Sequence, residues 1–565
     1  MKNKLYVGLI FSMLIVLTAC GNIDIEDDRT DTSTDNSSPE LVEDIDNEDS
    51  SSGDSSNEDS SLSTSSSLKI IGTVTYDRVK VHSNGIGLDY NNITKEPAKK
   101  VIVKAIDSSG SVVATTTTDE NGEYSLNNLP RDTYIKVRVY AQLEKSGSGG
   151  WSVKVVDNTN GDSQYVIEGG LLSTGNSSTR RNLNASSGWT GYSYGETRDA
   201  APFAILGSIY QAMEKVIESD RGVTFPPLVV NWSKDNISTV GSISDGQIGT
   251  SYFTEGANGD GNLYILGYAE HDTDEYDDHI IIHEWGHYFE SKFSRSDSPG
   301  GNHSPGERLD IRLAFGEGWG NAWSAIATDN PLYSDTIGRG QMDNAILMNI
   351  ESDPNYTSND TNDWSSEDSI QRILYDIYDS NDDGLDSLSM GFKPMYKVLV
   401  GAQKNSEALT SIFSFITALK SENLSEASKI DDILRGEDIS SINDIYGSDH
   451  HSLYSDMEIG DVKKICTSTE YGTINKLNTH KYIRFVVSQS GTYNIEMRQE
   501  NGGTSSDPDF AVYRVGVEHQ NVDYSAGEGQ GIEQKSVNLS IGNYILDGSN
   551  YGNRDTCFDV TITPN

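Results

Sequence analysis

The chain has 565 residues, room for roughly three to four domains. Its 86 acidic and 42 basic side chains give a formal charge of −44. That excludes a nucleic-acid partner, whose phosphates would be repelled, and leaves cationic partners and metal ions open. With 53 glycines, 13 prolines and 35% hydrophobic residues, it reads as a loop-rich soluble chain and not a membrane bundle.

Residues 1–19 read as a processing signal. Lys2 and Lys4 precede an apolar run, Leu5 to Leu17, of signal-core length. The string Leu17-Thr18-Ala19-Cys20-Gly21 resembles a bacterial lipobox. The resemblance implies cleavage before Cys20, a lipid on its sulfur and a place in the bacterial cell envelope, anchored to a lipid membrane. The alternative is an ordinary secretory signal with an incidental cysteine. Residues 20–67 follow as a tether. Fifteen acids, one base (Arg29) and many serines leave nothing with which to bury a core, so a disordered, self-repelling spacer is expected. Residues 68–565 remain strongly acidic.

Strand-like segments begin at Leu68. Ile70 to Tyr76, Lys100 to Ile106, Val112 to Thr117 and Tyr134 to Tyr140 alternate or run apolar between turn signals. The string Thr118-Asp119-Glu120-Asn121-Gly122-Glu123-Tyr124, with Leu129-Pro130 after it, is similar to the repeat turn of carboxypeptidase-regulatory-like and Cna-B-like sandwiches. A β-sandwich is expected over 68–145. Residues 146–195 read as a connecting segment with strands at Ser152 to Val156 and Gln164 to Ile167.

The chemistry lies in 196–460. A helix over Pro202 to Glu218 and strands at Leu228 to Trp232 and Leu263 to Leu266 lead to His283-Glu284-Trp285-Gly286-His287. Apolar Ile281, Trp285, Tyr288 and Phe289 recur there at helical spacing, and residues four apart share a helix face. His283 and His287 therefore point the same way, a disposition that suits one zinc ion, and Glu284 can reach a water in the metal's open position. A metzincin would need His at 293, where Phe293 stands. A second helix is expected around Ala314 to Ile326, with Glu317 as third ligand and with Gly316, Gly318 and Gly320 permitting close approach to the first. His303, in a Gly/Ser/Pro loop, reads as a surface histidine.

These strings resemble the gluzincin metallopeptidases. Gly-Glu-Gly-Trp and the 29 residues between His287 and Glu317 are most like the fungalysin branch of the thermolysin-like group. The resemblance implies that His283, His287 and Glu317 hold zinc and that Glu284 is the general base for hydrolysis of a peptide or protein substrate. It makes Asn262 to Leu266 the edge on which an extended substrate lies. Asn321 stands where the family has an Asp to orient a zinc histidine; its amide oxygen can still accept the ring N–H, without charge. Trp364 falls where the family's oxyanion-stabilising His would be, leaving Tyr375, Tyr378, His450 and His451 as candidates. The two tyrosines also read as packing residues beside Ile370, Ile373 and Ile377 on a helix over Asp368 to Tyr378. Asp379, Asn381 and Asp383 open an EF-hand-like calcium loop that lacks the closing Glu, with Met390 in its place; a solvated acidic turn is the alternative. The stretch 330–360 offers no assignable element.

Residues 461–565 return to short strands: Tyr482 to Val487, Gly491 to Met497, Asp509 to Val515, Val537 to Ile541 and Phe558 to Ile562. With Ser490-Gly491-Thr492-Tyr493 and Ile541-Gly542-Asn543-Tyr544 they resemble the pre-peptidase C-terminal domain, and a generic sandwich fits as well. Cys466 and Cys557 sit at its two ends and, in an oxidising compartment, can pair. The expected architecture is multidomain: an α+β gluzincin catalytic domain flanked by two β-sandwiches, with a disordered N-terminal tether. The expected function is that of a lipid-anchored zinc metalloendopeptidase. The alternative is a binding or adhesion lipoprotein on a gluzincin scaffold with weak or lost turnover.

Overall fold

A computed structural model describes residues 17–19, 68–256, 258–351, 362–381, 387–516, 520–527, 530–551 and 554–565. Most of its regular structure is strand, arranged in several sandwich-like sheets, with helices concentrated between residues 201 and 436. Cys20 and Asp383 lie outside the described residues.

The first strands are β1 (Leu68–Arg78), β2 (Val101–Asp107), β3 (Val112–Thr117), β4 (Glu123–Leu129), β5 (Tyr134–Lys145) and β6 (Trp151–Asp157). Alternation decides their faces. On β5, Ile135, Val137, Val139, Ala141 and Leu143 all turn inward while the residues between them are exposed or half-buried. A helix, α1 (Ala201–Ser219), then crosses to β7 (Leu228–Trp232), β8 (Tyr252–Glu255) and β9 (Gly261–Ile265). One sheet runs β8-β9-β7-β6-β5-β2-β3. Its join is the parallel pairing of β6 with β7, Val153 opposite Leu228. The sheet therefore passes through residues 145 and 195 without interruption, and 146–195 contributes one of its central strands. A single apolar core runs from Leu68 to Leu453 and takes in Leu477, Tyr482 and Ile545 of the C-terminal part.

Against this sheet pack α1 and α2 (Asp278–Phe293); α3 (Ile311–Thr328) packs on α2, and α4 (Glu367–Tyr378) packs on α3. Both α2 and α3 are buried almost all round, α2 with its histidines, Glu284 and Glu290 among the buried residues. Trp285 and Phe289 of α2 stack with Trp319 and Trp323 of α3, with ring centroids 5.8–6.0 Å apart. Of the three glycines on α3, only Gly320 opens the approach to α2. A Cβ there would meet the His283 ring at 2.7 Å, whereas one on Gly318 would meet Ile370 of α4 at 2.6 Å and one on Gly316 would meet nothing closer than 3.6 Å. After α3, the unassigned stretch forms a hairpin, β10 (Leu332–Thr336) and β11 (Ala345–Asn349). Asp277, at the start of α2, accepts hydrogen bonds from the Thr336 backbone N–H and hydroxyl and holds this hairpin against the helix.

The C-terminal part is a sandwich with its own core. One sheet contains β13 (His480–Val487), β15 (Pro508–Arg514), β16 (Gln520–Ser525) and β18 (Gly542–Asn550); the other contains β12 (Val462–Thr467), β14 (Gly491–Gln499), β17 (Ile532–Leu539) and β19 (Thr556–Pro564). Cys466 and Cys557 are register partners on β12 and β19 and form a disulfide. The sandwich docks on the start of α3 through buried charge. Arg312 binds Asp310 at 2.9 Å and Asp547 at 2.8 Å, His480 lies 2.8 Å from Asp547, and the Tyr482 hydroxyl donates to Asp310. The helix that carries Glu317 is thereby pinned at its first turn.

Candidate metal centre

His283 and His287 sit on consecutive turns of α2, and Glu317 faces them from α3. The two Nε2 atoms are 3.0 Å apart, and Glu317 Oε2 lies 3.3 Å from His283 Nε2 and 3.5 Å from His287 Nε2. Two ligands held at about 2.05 Å on a tetrahedral zinc would be about 3.3 Å apart. The donor set, two imidazoles and one carboxylate, is also the set that zinc takes when a fourth position stays open. The residues fit the ion. All three are buried, and Glu317 is 1% exposed. Burial alone would raise the Glu317 carboxyl, but His303, His287 and His283 hold it well below the ordinary carboxylate range. Burial would likewise lower His287, which the Glu317, Glu284 and Glu290 carboxylates instead bring up to about 9.

Asn321, one turn after Glu317, places its amide oxygen 2.9 Å from His283 Nδ1. With the ring N–H donating there, Nε2 keeps its lone pair for a metal. Glu284 faces a cleft of about 80 Å³ that His283, His303, Glu317, Tyr333 and Asp335 also line. His287 and Glu317 also line a larger groove of about 300 Å³ walled by Phe253, Thr254 and Glu255.

Several expectations change here. Asn262 to Leu266 is not an edge. Most of it is β9, which pairs with β7 on one side and with β8 on the other. The edge facing the groove is β8, Tyr252–Glu255. His303 is no surface histidine. It is 5% exposed, with Nδ1 2.7 Å from Glu367 and Nε2 3.5 Å from Glu317. Burial lowers its pKa, but the two carboxylates raise it to about 9. It therefore braces Glu317 from behind. The Gly/Ser/Pro composition of its loop concealed this, since burial of a loop is decided by what packs over it.

The four oxyanion candidates lie elsewhere. The Tyr378 hydroxyl donates to Asp329, which caps the far end of α3, twelve residues or about 18 Å along the helix from Glu317. The Tyr375 ring stands beside Tyr378. His450 and His451 pack on Phe413, and His451 also packs on Trp364. None of the four lines the cleft or the groove. Tyr333 of β10 does line the cleft. No sequence signal marked it, because it lies in the unassigned stretch. Asp379 ends α4, and its carboxylate accepts the Asn381 N–H; the Asn381 amide donates to Glu351.

No protein-family model matches the chain, and no curated protein matches it. Among solved structures it is similar in part to the pre-peptidase C-terminal domain of the Bacillus anthracis collagenase (14% identity, covering 19% of this chain and 93% of that one, TM-score 0.16). It is also similar in part to the precursor of protealysin, a metalloproteinase of Serratia proteamaculans (6% identity, 53% and 90% covered, TM-score 0.29). At these scores the likenesses carry no argument about activity. Among the described residues, no helix is long and apolar enough to cross a membrane.

Proposed function

We propose that the protein is a zinc-dependent metalloendopeptidase of the gluzincin type, held at a bacterial cell envelope by lipid on Cys20. One observation carries the reading: three donor atoms 3.0–3.5 Å apart, with a carboxylate, Glu284, on the adjoining cleft wall. Zinc, when bound, lowers the pKa of a water toward neutrality and polarises a carbonyl. Glu284 would accept the proton of the attacking water and return it to the departing amine. An extended substrate adds to the edge of β8 by backbone hydrogen bonds, which brings its scissile carbonyl to the His283, His287 and Glu317 site at the mouth of the Glu284 cleft. Tyr333 offers a hydroxyl to the developing oxyanion. Asn321 fixes the His283 ring, and His303, itself held by Glu367, fixes Glu317.

The test is casein hydrolysis by the purified protein beside its Glu284→Gln variant, with zinc content measured in both. Activity that disappears in the variant while zinc stays bound supports the proposal. Zinc bound in both, with neither casein nor a peptide library cleaved, moves the reading to a binding or adhesion lipoprotein on the same scaffold. The anchor is tested by Cys20→Ser, which should release the protein from membranes.

A further inference from the structure

Three carboxylates that the peptidase reading leaves unused stand on the wall of the Glu284 cleft. Asp272 and Asp274 belong to the segment that leads into α2, and Asp335 belongs to β10. One oxygen from each lies within 4.8 Å of the others. Asp274 and Asp335 are 3% and 8% exposed. Asp274 accepts the Ser251 hydroxyl on Oδ2, but its Oδ1, like Oδ1 of Asp272 and of Asp335, is buried without a hydrogen-bond partner. Among the described residues no lysine or arginine pairs with any of the three; the nearby Arg198 is engaged by Glu275. The other titratable groups facing the trio are acidic or phenolic: Asp277, which holds Thr336, and Glu275, Glu284 and Tyr333. Carboxylates gathered in this way, desolvated and unsatisfied, are relieved either by shared protons or by a cation among them.

We propose that Asp272, Asp274 and Asp335 bind a hard divalent cation, calcium foremost, distinct from the zinc. The donors are all oxygen, which selects calcium or magnesium over zinc. Calcium ligands lie at about 2.3–2.6 Å, so two of them on one ion can be as much as about 5 Å apart, and these lie within 4.8 Å of one another. The cleft, at about 80 Å³, has room for an ion and its waters. The ion would tie the segment entering the zinc helix to the hairpin that follows α3. Tyr333 stands two residues before Asp335, so the same tie would fix Tyr333 in the cleft.

The experiment uses the full-length protein, stripped of metal, reloaded with one equivalent of zinc and titrated with calcium alone. Bound calcium is counted by equilibrium dialysis and the melting temperature is followed. Wild type should bind calcium at this site with a rise in melting temperature. Asp272→Asn and Asp335→Asn should weaken that binding by about ten-fold or more, while a variant of the other acidic loop, Asp379→Asn with Asp383→Asn, should keep it. Asp272 is half-exposed, so Asp272→Asn carries the test if Asp335→Asn does not fold. Calcium binding unchanged in both trio variants, or lost only in the loop variant, overturns the proposal. So does a wild type indifferent to millimolar calcium, which would mean that the trio is held by shared protons. The zinc count is read separately, so a failure of the peptidase reading is distinguishable from a failure of this one.

Discussion

Gly320→Ala tests the central geometry without touching a ligand. The new methyl carbon would sit 2.7 Å from His283 Cε1 and 2.9 Å from both ring nitrogens. Ordinary carbon contacts begin near 3.5 Å, so the ring must move by about 0.8 Å or α3 must withdraw by as much. Metal sites tolerate ligand displacements of about 0.2 Å. The shift would also break the 2.9 Å contact that orients the ring on Asn321. Loss of an orienting partner alone costs about 10- to 100-fold in metal affinity. With the ligand itself displaced, a drop of about 100-fold is expected. Stability should change less, because overpacking costs about 1–3 kcal/mol while alanine regains about 1 kcal/mol of helix propensity. Competition against a chromophoric zinc chelator reads the affinity, and calorimetry reads the stability. Gly316→Ala is the control. Its methyl would meet Glu290 at 3.6 Å and Ser298 at 3.8 Å, so it should keep full zinc affinity and gain about 0.5–1 kcal/mol. A Gly320→Ala protein that binds zinc within twofold of wild type would refute the account of how α2 and α3 build the site.

Three further outcomes are expected. Tyr333→Phe should lower kcat about 100-fold with zinc content and KM nearly unchanged; an unaltered kcat in steady-state assays would remove it from the chemistry. Cys466→Ser with Cys557→Ser opens a link between residues 91 apart in sequence and should cost about 4 kcal/mol in chemical denaturation of the C-terminal sandwich; a change under 1 kcal/mol would contradict this. The Arg312 cluster makes stability fall on both sides of neutrality. Burial raises Asp310 and Asp547, but Arg312 more than offsets it and both end below the ordinary range. Their contribution is thus present above about pH 4 and lost as pH falls through their folded values. Burial lowers His480, but Asp547 more than offsets it and the imidazole ends raised. Its contribution is thus complete below about pH 6.5 and lost as pH rises through the raised value. Calorimetry across pH should show His480→Gln without the alkaline slope, and a slope unchanged in that variant would count against the ion pair.

Local periodicity made much of the secondary structure legible. Val112–Thr117 and Leu228–Trp232 are strands at the residues expected, and α1 lies within one residue of its expected ends. Such segments announce themselves because a half-buried strand or helix must alternate with its own period. The hairpin at 332–349 did not, because every residue of β11 is half-buried and its sequence carries no alternation to read.

By itself the sequence determined the chemistry on offer: two histidines one helical turn apart, a glutamate between them and a second glutamate on another helix. That much follows from helix geometry, which is local. Only the tertiary structure decided which strand is the open edge, that His303 stands buried between Glu367 and Glu317, that Tyr333 and not Tyr375 or Tyr378 faces the cleft, and that Asp272, Asp274 and Asp335 meet. Each of these depends on pairing or packing between segments far apart in the chain, where a one-residue change of register or a helix crossing moves a side chain from one face to the other, and no local pattern records it.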